Sequence, residues 1–312
     1  MNKRSYRNIF ISILILVTLF LTFFLCACAD FSFQETSQTY DNDVREVGLV
    51  DKIAYLFPAI KDELVIDAIP ALGGDSFLVL NQGKAMLIDA GLDSSYPEIN
   101  ATLRSYRIDK IDVLIITHPH NDHIGGMLEI VRDYDIEHVY MIDYKHDSDN
   151  YYSLMDIIQE KNLDITYAKK GLTFDFADAS CLVLNPQAEF LKDVNNNSLV
   201  FKMTYGEKTF LFTGDMEKKA EKKLLALPYD LKSDFIKIGH HGVDDASSKK
   251  FLAAVDPEFA VISSKKNHSY EKILNRLLDK GTKVYITLDG YHIKFTCKDN
   301  KIIVSSYESF TY

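Results

Sequence analysis

The stretch Val113-Leu114-Ile115-Ile116-Thr117-His118-Pro119-His120-Asn121-Asp122-His123-Ile124-Gly125-Gly126 constrains this chain more than any other. An apolar run of strand length delivers three histidines and an aspartate, and two glycines then release the chain into another element. One histidine beside a core is usually structural. Four imidazole or carboxylate donors on one turn are different, because undirected polar groups are costly so close to a buried strand. Their count and spacing fit a metal site. In a tight loop stiffened by Pro119, His118 and His120 can point towards one ion, while Asp122 and His123 face a neighbouring one. Two metals a few ångströms apart suit the hydrolysis of phosphate esters and other strong bonds.

The pattern His-x-His-x-Asp-His, placed after an apolar strand, resembles the metallo-β-lactamase superfamily. That resemblance implies an α/β fold built as a four-layer αββα sandwich, with ligands supplied by several strand ends. It also gives roles to later residues. Phe210-Leu211-Phe212-Thr213-Gly214-Asp215 is an apolar strand ending in a glycine and a carboxylate, which matches the superfamily's bridging aspartate at Asp215. Gly239-His240-His241-Gly242 ends another apolar strand. Neighbours on an extended segment point to opposite sides, so one of the two histidines is expected to bind metal. By resemblance that one is His241, leaving His240 as a substrate-facing group, a support for a ligand, or a core residue. The expected metal ligands are His118, His120, Asp122, His123, Asp215 and His241, holding two divalent ions: zinc, with Mn2+ or Fe2+ as alternatives. Asp89, in Leu87-Ile88-Asp89-Ala90-Gly91, is either a support that orients a group of the histidine loop or a turn-capping residue.

Most enzymes of this superfamily place a further histidine before the bridging aspartate, yet no histidine lies between His146 and His240. In its place stands Asn195-Asn196-Asn197-Ser198-Leu199-Val200. Together with Thr-Gly-Asp and His-His-Gly, this resembles the hydrolase domain of the DNA-uptake competence channel proteins and the phosphorylcholine esterases, over roughly Leu64 to Ser306. Asn197 and Ser198 are candidates to hydrogen-bond a phosphoryl oxygen or to cap the strand. The chain departs from the competence proteins in reading Asn267-His268-Ser269-Tyr270 where they carry Tyr-Gly-His-Pro. His268 is a candidate substrate-side proton donor, as is His240.

The remaining chain reads as strands at 64–69, 76–80 and 84–89, a helix at 96–106, the strand at 112–117 and a helix at 124–134. A strand at 138–142, a helix at 153–160 and strands at 164–167, 173–176 and 179–184 follow. Strands at 199–205 and 208–212, a helix at 216–226 and a strand at 235–238 lead to helices at 248–255 and 270–280, which alternate with strands at 259–262 and 283–287. Strands at 291–297 and 302–306 close the domain. His138 opens a strand far from other donors and is expected to be structural; His146, in a charged loop, is expected to be solvent-exposed or part of a lid.

Lys3, Arg4 and Arg7 precede an uncharged, mostly apolar run from Ile9 to Ala29, the order of a secretory leader or an N-in membrane anchor. Leu25-Cys26-Ala27-Cys28 resembles a bacterial lipobox, with Cys28 the lipidated residue; the alternative is an uncleaved anchor, since the run is long enough to span a bilayer. The expected organisation is therefore a leader or anchor at 1–28, a linker and lead-in at 29–60, and a hydrolase domain at 61–312, held outside the cytoplasm at the membrane by lipid or helix. The formal charge of −10 becomes −13 without residues 1–27. An acidic body disfavours a grip on a long polyanion, so a small phosphodiester is a better expectation than nucleic acid. Two other functions stay open: a lactonase or β-lactamase acting on a carboxyl derivative, and a surface protein that binds metal without turnover. Cys181 and Cys297 fall in strands, either as two buried thiols or as a disulfide permitted by an oxidising compartment.

Overall fold

A computed structural model describes residues 62–187, 189–264, 269–287 and 290–311. The leader, the lipobox cysteine, the linker and His268 lie outside the described residues, and among those described no helix is long and apolar enough to cross a membrane.

Two mixed sheets face each other. The first has eight strands: β1 (Leu64–Ala68), β2 (Phe77–Asn81), β3 (Lys84–Ile88), β5 (Val113–Ile116), β7 (His138–Met141), β8 (Asp164–Tyr167), β16 (Tyr291–Lys298) and β17 (Lys301–Glu308). Their order across the sheet is β17-β16-β1-β2-β3-β5-β7-β8. The second has seven: β9 (Thr173–Phe176), β10 (Ala179–Asn185), β11 (Val200–Tyr205), β12 (Lys208–Phe212), β13 (Phe235–Lys237), β14 (Phe259–Ser263) and β15 (Lys283–Thr287), in the order β15-β14-β13-β12-β11-β10-β9. Each sheet joins antiparallel strands to a parallel run, β3-β5-β7-β8 in one and β12-β13-β14-β15 in the other.

The layering follows from the two-residue alternation of strand side chains. On β1, Leu64, Ile66 and Ala68 enter the cluster between the sheets, whereas Val65 joins the outer one. On β12, Phe210 and Phe212 face inward and Leu211 outward. Phenylalanines bind the sheets together: Phe77 on β2 meets Phe212 on β12 edge-on at 5.8 Å, and Phe235 meets Phe295 edge-on at 4.8 Å. Truncating one of these buried rings to alanine costs about 3–5 kcal/mol. The outer face of the first sheet is covered by α1 (Tyr96–Ser105), α3 (Met127–Asp133) and α4 (Asp149–Glu160), through Ile99, Leu103, Ile130, Leu154 and Ile158. The outer face of the second is covered by α5 (Lys218–Leu224), α6 (Lys249–Val255) and α7 (Glu271–Leu278), through Leu224, Leu252, Ile273 and Leu277. This is the αββα sandwich expected from the sequence.

Two local expectations change. The single helix expected over 124–134 is divided into α2 (Asn121–Ile124) and α3, with Gly125 and Gly126 between them. A Cβ at Gly125 would lie 2.4 Å from the Asp93 nitrogen, and one at Gly126 would lie 2.5 Å from the Ala90 oxygen, so the loops after β3 pack against bare backbone here. A separate two-stranded sheet pairs β4 (Lys110–Ile111) with β6 (Asp135–Ile136), each too short to show a period in sequence. Cys181 and Cys297 are buried free thiols in the inter-sheet core. His138 is structural, as expected: its ring contacts Thr166 Oγ1 at 2.9 Å and Asp164 Oδ2 at 2.8 Å on the neighbouring strand.

Candidate metal centre

The donors gather where the parallel strands of both sheets end. From the first sheet, β5 runs into Thr117 and His118, and α2 begins at Asn121. The backbone fixes this turn from two sides, since Asp75 N donates to Asp122 O at 3.0 Å and Ala90 N donates to His123 O at 2.8 Å. Gly74 lets the β1–β2 loop approach so closely: a Cβ there would sit 2.2 Å from Asp122 O. Asp89 orients the loop rather than merely capping a turn. It holds a left-handed conformation (φ 57°) and accepts from Thr117 N at 2.8 Å and Thr117 Oγ1 at 2.6 Å. Its Oδ2 also lies 2.8 Å from His123 Nδ1, which commits that nitrogen and turns Nε2 into the pocket.

The second sheet supplies the facing wall. Asp215 follows β12, is buried, and places Oδ2 3.2 Å from His123 Nε2, 3.3 Å from His241 Nε2 and 3.9 Å from His118 Nε2. Gly214 takes φ +49° with Ser198 packed so close that a Cβ would meet it at 2.9 Å. His240 and His241 do diverge, but for a different reason than strand alternation. Both adopt left-handed backbone (φ 47° and 51°), a strained pair that throws one imidazole inward and the other aside. His241 is buried, with Nε2 3.3 Å from Asp122 Oδ2. His240 turns to Asp245, 2.8 Å from Nδ1, and its Nε2 lies 3.4 Å from Asn195 Nδ2.

Asp122, His123, Asp215 and His241 thus offer four ligand atoms all within 4.8 Å of one another. Beside them His118 Nε2 and His120 Nδ1 stand 3.2 Å apart and share the Asp215 side of the pocket. The buried Nε2 of His123 makes no hydrogen bond, a costly state for an imidazole nitrogen unless a cation takes its lone pair. The donor set, two carboxylates and four imidazoles, suits a divalent ion of the zinc, manganese or iron(II) kind.

Electrostatics point the same way. Burial, together with the charge on His123, drives the His118 pKa well below its ordinary value, and burial also lowers that of His120, so both keep a lone pair at neutral pH. Burial opposes protonation of His241 too, but Asp215 and Asp75 outweigh it and push its pKa up to about 9. Asp215 and Asp89 likewise raise His123 against its burial. Burial disfavours the Asp122 carboxylate, yet hydrogen bonding from His241 and the charges on His123 and His241 hold its pKa below the usual range. The pocket binds protons where it would otherwise bind metal.

Several contributors lie outside what the sequence suggests. Asp75 and Lys237 form a buried ion pair behind the ligands, and Lys237 Nζ also donates to Gly214 O at 2.8 Å. Gly73-Gly74-Asp75 reads only as a turn, and Lys237 only as part of a strand, so neither carries a signal in sequence. His146 comes to 5.6 Å from the His120 ring, at the rim of the pocket rather than away in solvent. Asn197 and Ser198 do not take the substrate-contacting place considered for them. Asn197 is buried, staples the preceding loop through Leu191 and Asp193, and leaves its amide fully engaged. Ser198 is buried as well; its Oγ accepts from Asp215 N at 3.1 Å and donates to Asn195 O at 2.8 Å, which fixes the turn carrying Asp215.

Comparison with known proteins agrees with this geometry. The chain is 26% identical over 280 residues to ComE operon protein 3 of Bacillus subtilis (83% of this chain, 36% of that one), and 27% identical over 235 residues to competence protein ComA of Neisseria gonorrhoeae (73% and 31%). It therefore spans about a third of the length of these curated relatives. Among solved structures, the metallo-beta-lactamase fold protein YhfI of Bacillus subtilis superposes with a TM-score of 0.50 at 12% identity, covering 74% of this chain and 99% of that one, a likeness of fold. Residues 69–264, more than half of the chain, match the metallo-beta-lactamase superfamily, whose fold binds divalent metals, often two, and whose members are generally metal-dependent hydrolases. With its αββα layers and its donors at the strand ends, this chain belongs to the metallo-β-lactamase superfamily.

Proposed function

We propose that this protein is a binuclear metal-dependent phosphodiesterase, tethered outside the cytoplasm by its N-terminal segment. The observation that carries the reading is the shared position of Asp215 Oδ2, with Asp122, His123 and His241 on one side and His118, beside His120, on the other. His118, His120 and Asp215 would hold one ion, and Asp122, His123, Asp215 and His241 the other. When bound, such ions supply Lewis-acid stabilisation of phosphoryl charge and make water acidic enough to attack at neutral pH. Among the described residues no third imidazole joins the His118–His120 side, which leaves room there for a substrate oxygen. Asp122 and Asp215 orient the attacking water. His240, whose side chain is 25% exposed, has Nδ1 held by Asp245 and Nε2 3.4 Å from Asn195 Nδ2, and is the group assigned to give a proton to the departing alkoxide.

The substrate favoured is a small diester. The acidic chain argues against a firm hold on long DNA, although relatives named for competence keep a nucleic-acid ester within the class. Zinc is the metal expected first. The test is a screen of a chromogenic phosphodiester, a lactone and a β-lactam on the protein loaded with Zn2+ or Mn2+, with Asp215→Asn alongside. The parent should hydrolyse the diester, and the folded variant should lose more than about a hundredfold of that rate, at least what is lost with a ligand's supporting partner. Turnover of the lactone or lactam alone would replace the phosphodiester with a carboxyl derivative. Bound metal with no turnover would make this a metal-binding surface protein.

A further inference from the structure

Behind the ligands lies a cation that the proposed reaction does not use. Lys237 ends β13 and is 1% exposed. Its Nζ donates to Gly214 O, is ion-paired with Asp75 Oδ2, and stands 3.4 Å from Asp215 Oδ1, the oxygen of the shared carboxylate that faces away from the imidazoles. Asp75 is itself buried, with Oδ1 3.5 Å from His241 Nδ1 and Oδ2 3.8 Å from His123 Nδ1. Asp75, Asp89, Asp122 and Asp215 thus bring four carboxylates to one pocket. Without positive charge beside them, several buried anions would stand close together, which proteins do not tolerate.

We propose that Lys237 is a built-in counter-cation: its ammonium group holds Asp75 and Asp215 in place before metal arrives, and it opposes the incoming ion for the same carboxylates. It is a positioning residue that lets the pocket fold without metal and sets a ceiling on metal affinity. Two charges of one sign a few ångströms apart in a partly buried setting repel enough to move affinity by about tenfold or more. The assignment rests on the metal-centre reading but makes a separate claim, because a lysine that only filled space would leave metal affinity unchanged or reduce it on removal.

The test uses the full chain purified in detergent, stripped with chelator and titrated with Mn2+ alone by calorimetry, with melting curves recorded for stripped and loaded protein. Lys237→Met should bind Mn2+ about tenfold or more tightly than the parent, melt earlier when stripped, and gain more from added Mn2+. Lys237→Arg, which keeps the charge, should bind within about threefold of the parent. Equal or weaker binding by Lys237→Met overturns the proposal. Should that variant fail to fold without metal, Asp75→Asn/Lys237→Met removes the buried pair together and is compared with Asp75→Asn: binding tighter by about tenfold supports the counter-cation, and equal or weaker binding overturns it. A parent that binds no Mn2+ brings down the metal-centre reading and the proposal with it.

Discussion

Among the described residues, two clusters of buried histidine and carboxylate are built to opposite specifications. In the first, His292 on β16 is fully buried between Asp67 on β1 (Nδ1 to Oδ1, 2.9 Å) and Glu98 on α1 (Nε2 to Oε1, 2.8 Å). Asp67 Oδ2 accepts from the Tyr106 and Tyr307 hydroxyls, while Glu98 accepts from Phe310 N, Thr311 N and Thr311 Oγ1. Every polar atom named there has a partner. In the second, around Asp215, carboxylates outnumber fixed cations and the buried Nε2 of His123 is left without a hydrogen bond. A completed network is a clamp: it ties the C-terminal residues to α1 and asks for nothing more. An incomplete one, equally buried, is a binding site.

The sharpest way to break the comparison is to remove the clamp's centre. His292→Leu leaves two carboxylates buried without their cation, and stability should fall by about 3–5 kcal/mol whether or not metal is present, read from denaturant unfolding of stripped and loaded protein. A loss confined to one of those two states would mean the clusters communicate. A smaller effect is expected from Asp89→Asn, which keeps the shape but weakens the hold on His123. Metal affinity should drop about 10–100-fold, with little change in the stripped protein's stability. Unaltered affinity would remove Asp89 from the supporting role given to it.

The subtlest contrast is in pH. His292 gains two carboxylate partners that raise its pKa above the ordinary 6.5 despite burial. Its contribution is therefore complete below about pH 6.5 and is lost as pH rises through the raised value. Burial disfavours the Glu98 carboxylate, yet hydrogen bonds from His292, Ser309 and Thr311 and from Phe310 N depress its pKa to about 2, so its contribution is complete above about 4.5 and lost as pH falls through about 2. The stability gap between parent and His292→Leu should narrow as pH climbs from 6 to 9. Metal binding should move the other way. His123 and His241 must release protons to bind, and His241 does so near pH 9 in the stripped pocket, so affinity should strengthen across the same range. Calorimetry in buffers of different ionisation enthalpy would reveal the released protons; their absence would contradict the protonation pattern described for the pocket.

Much of the donor cluster is legible along the chain. His118, His120, Asp122 and His123 stand out because one turn gathers them, and Asp215 because an apolar strand ends in Gly-Asp. His241 joins the cluster and His240 does not, as the resemblance implies, although the left-handed turn that separates them gives no sign in the letters. Asn197 and Ser198 are deceptive, because a polar run beside a strand looks the same whether it faces a substrate or stitches a loop. His292, Asp67 and Glu98 carry no signal at all, for they lie in three elements far apart in the chain.

By itself, the sequence determined the layers and most of the clustered donors, since side-chain alternation and a dense run of donors are local properties carried by neighbouring residues. Only the tertiary structure decided which buried charges face one another: that Lys237 meets Asp75 and Asp215, that Asp89 reaches His123, and that Ser198 props the shared carboxylate. The reason is physical. Coulomb forces and hydrogen bonds act across space, and the closing of two sheets brings together groups that no reading along the chain places side by side.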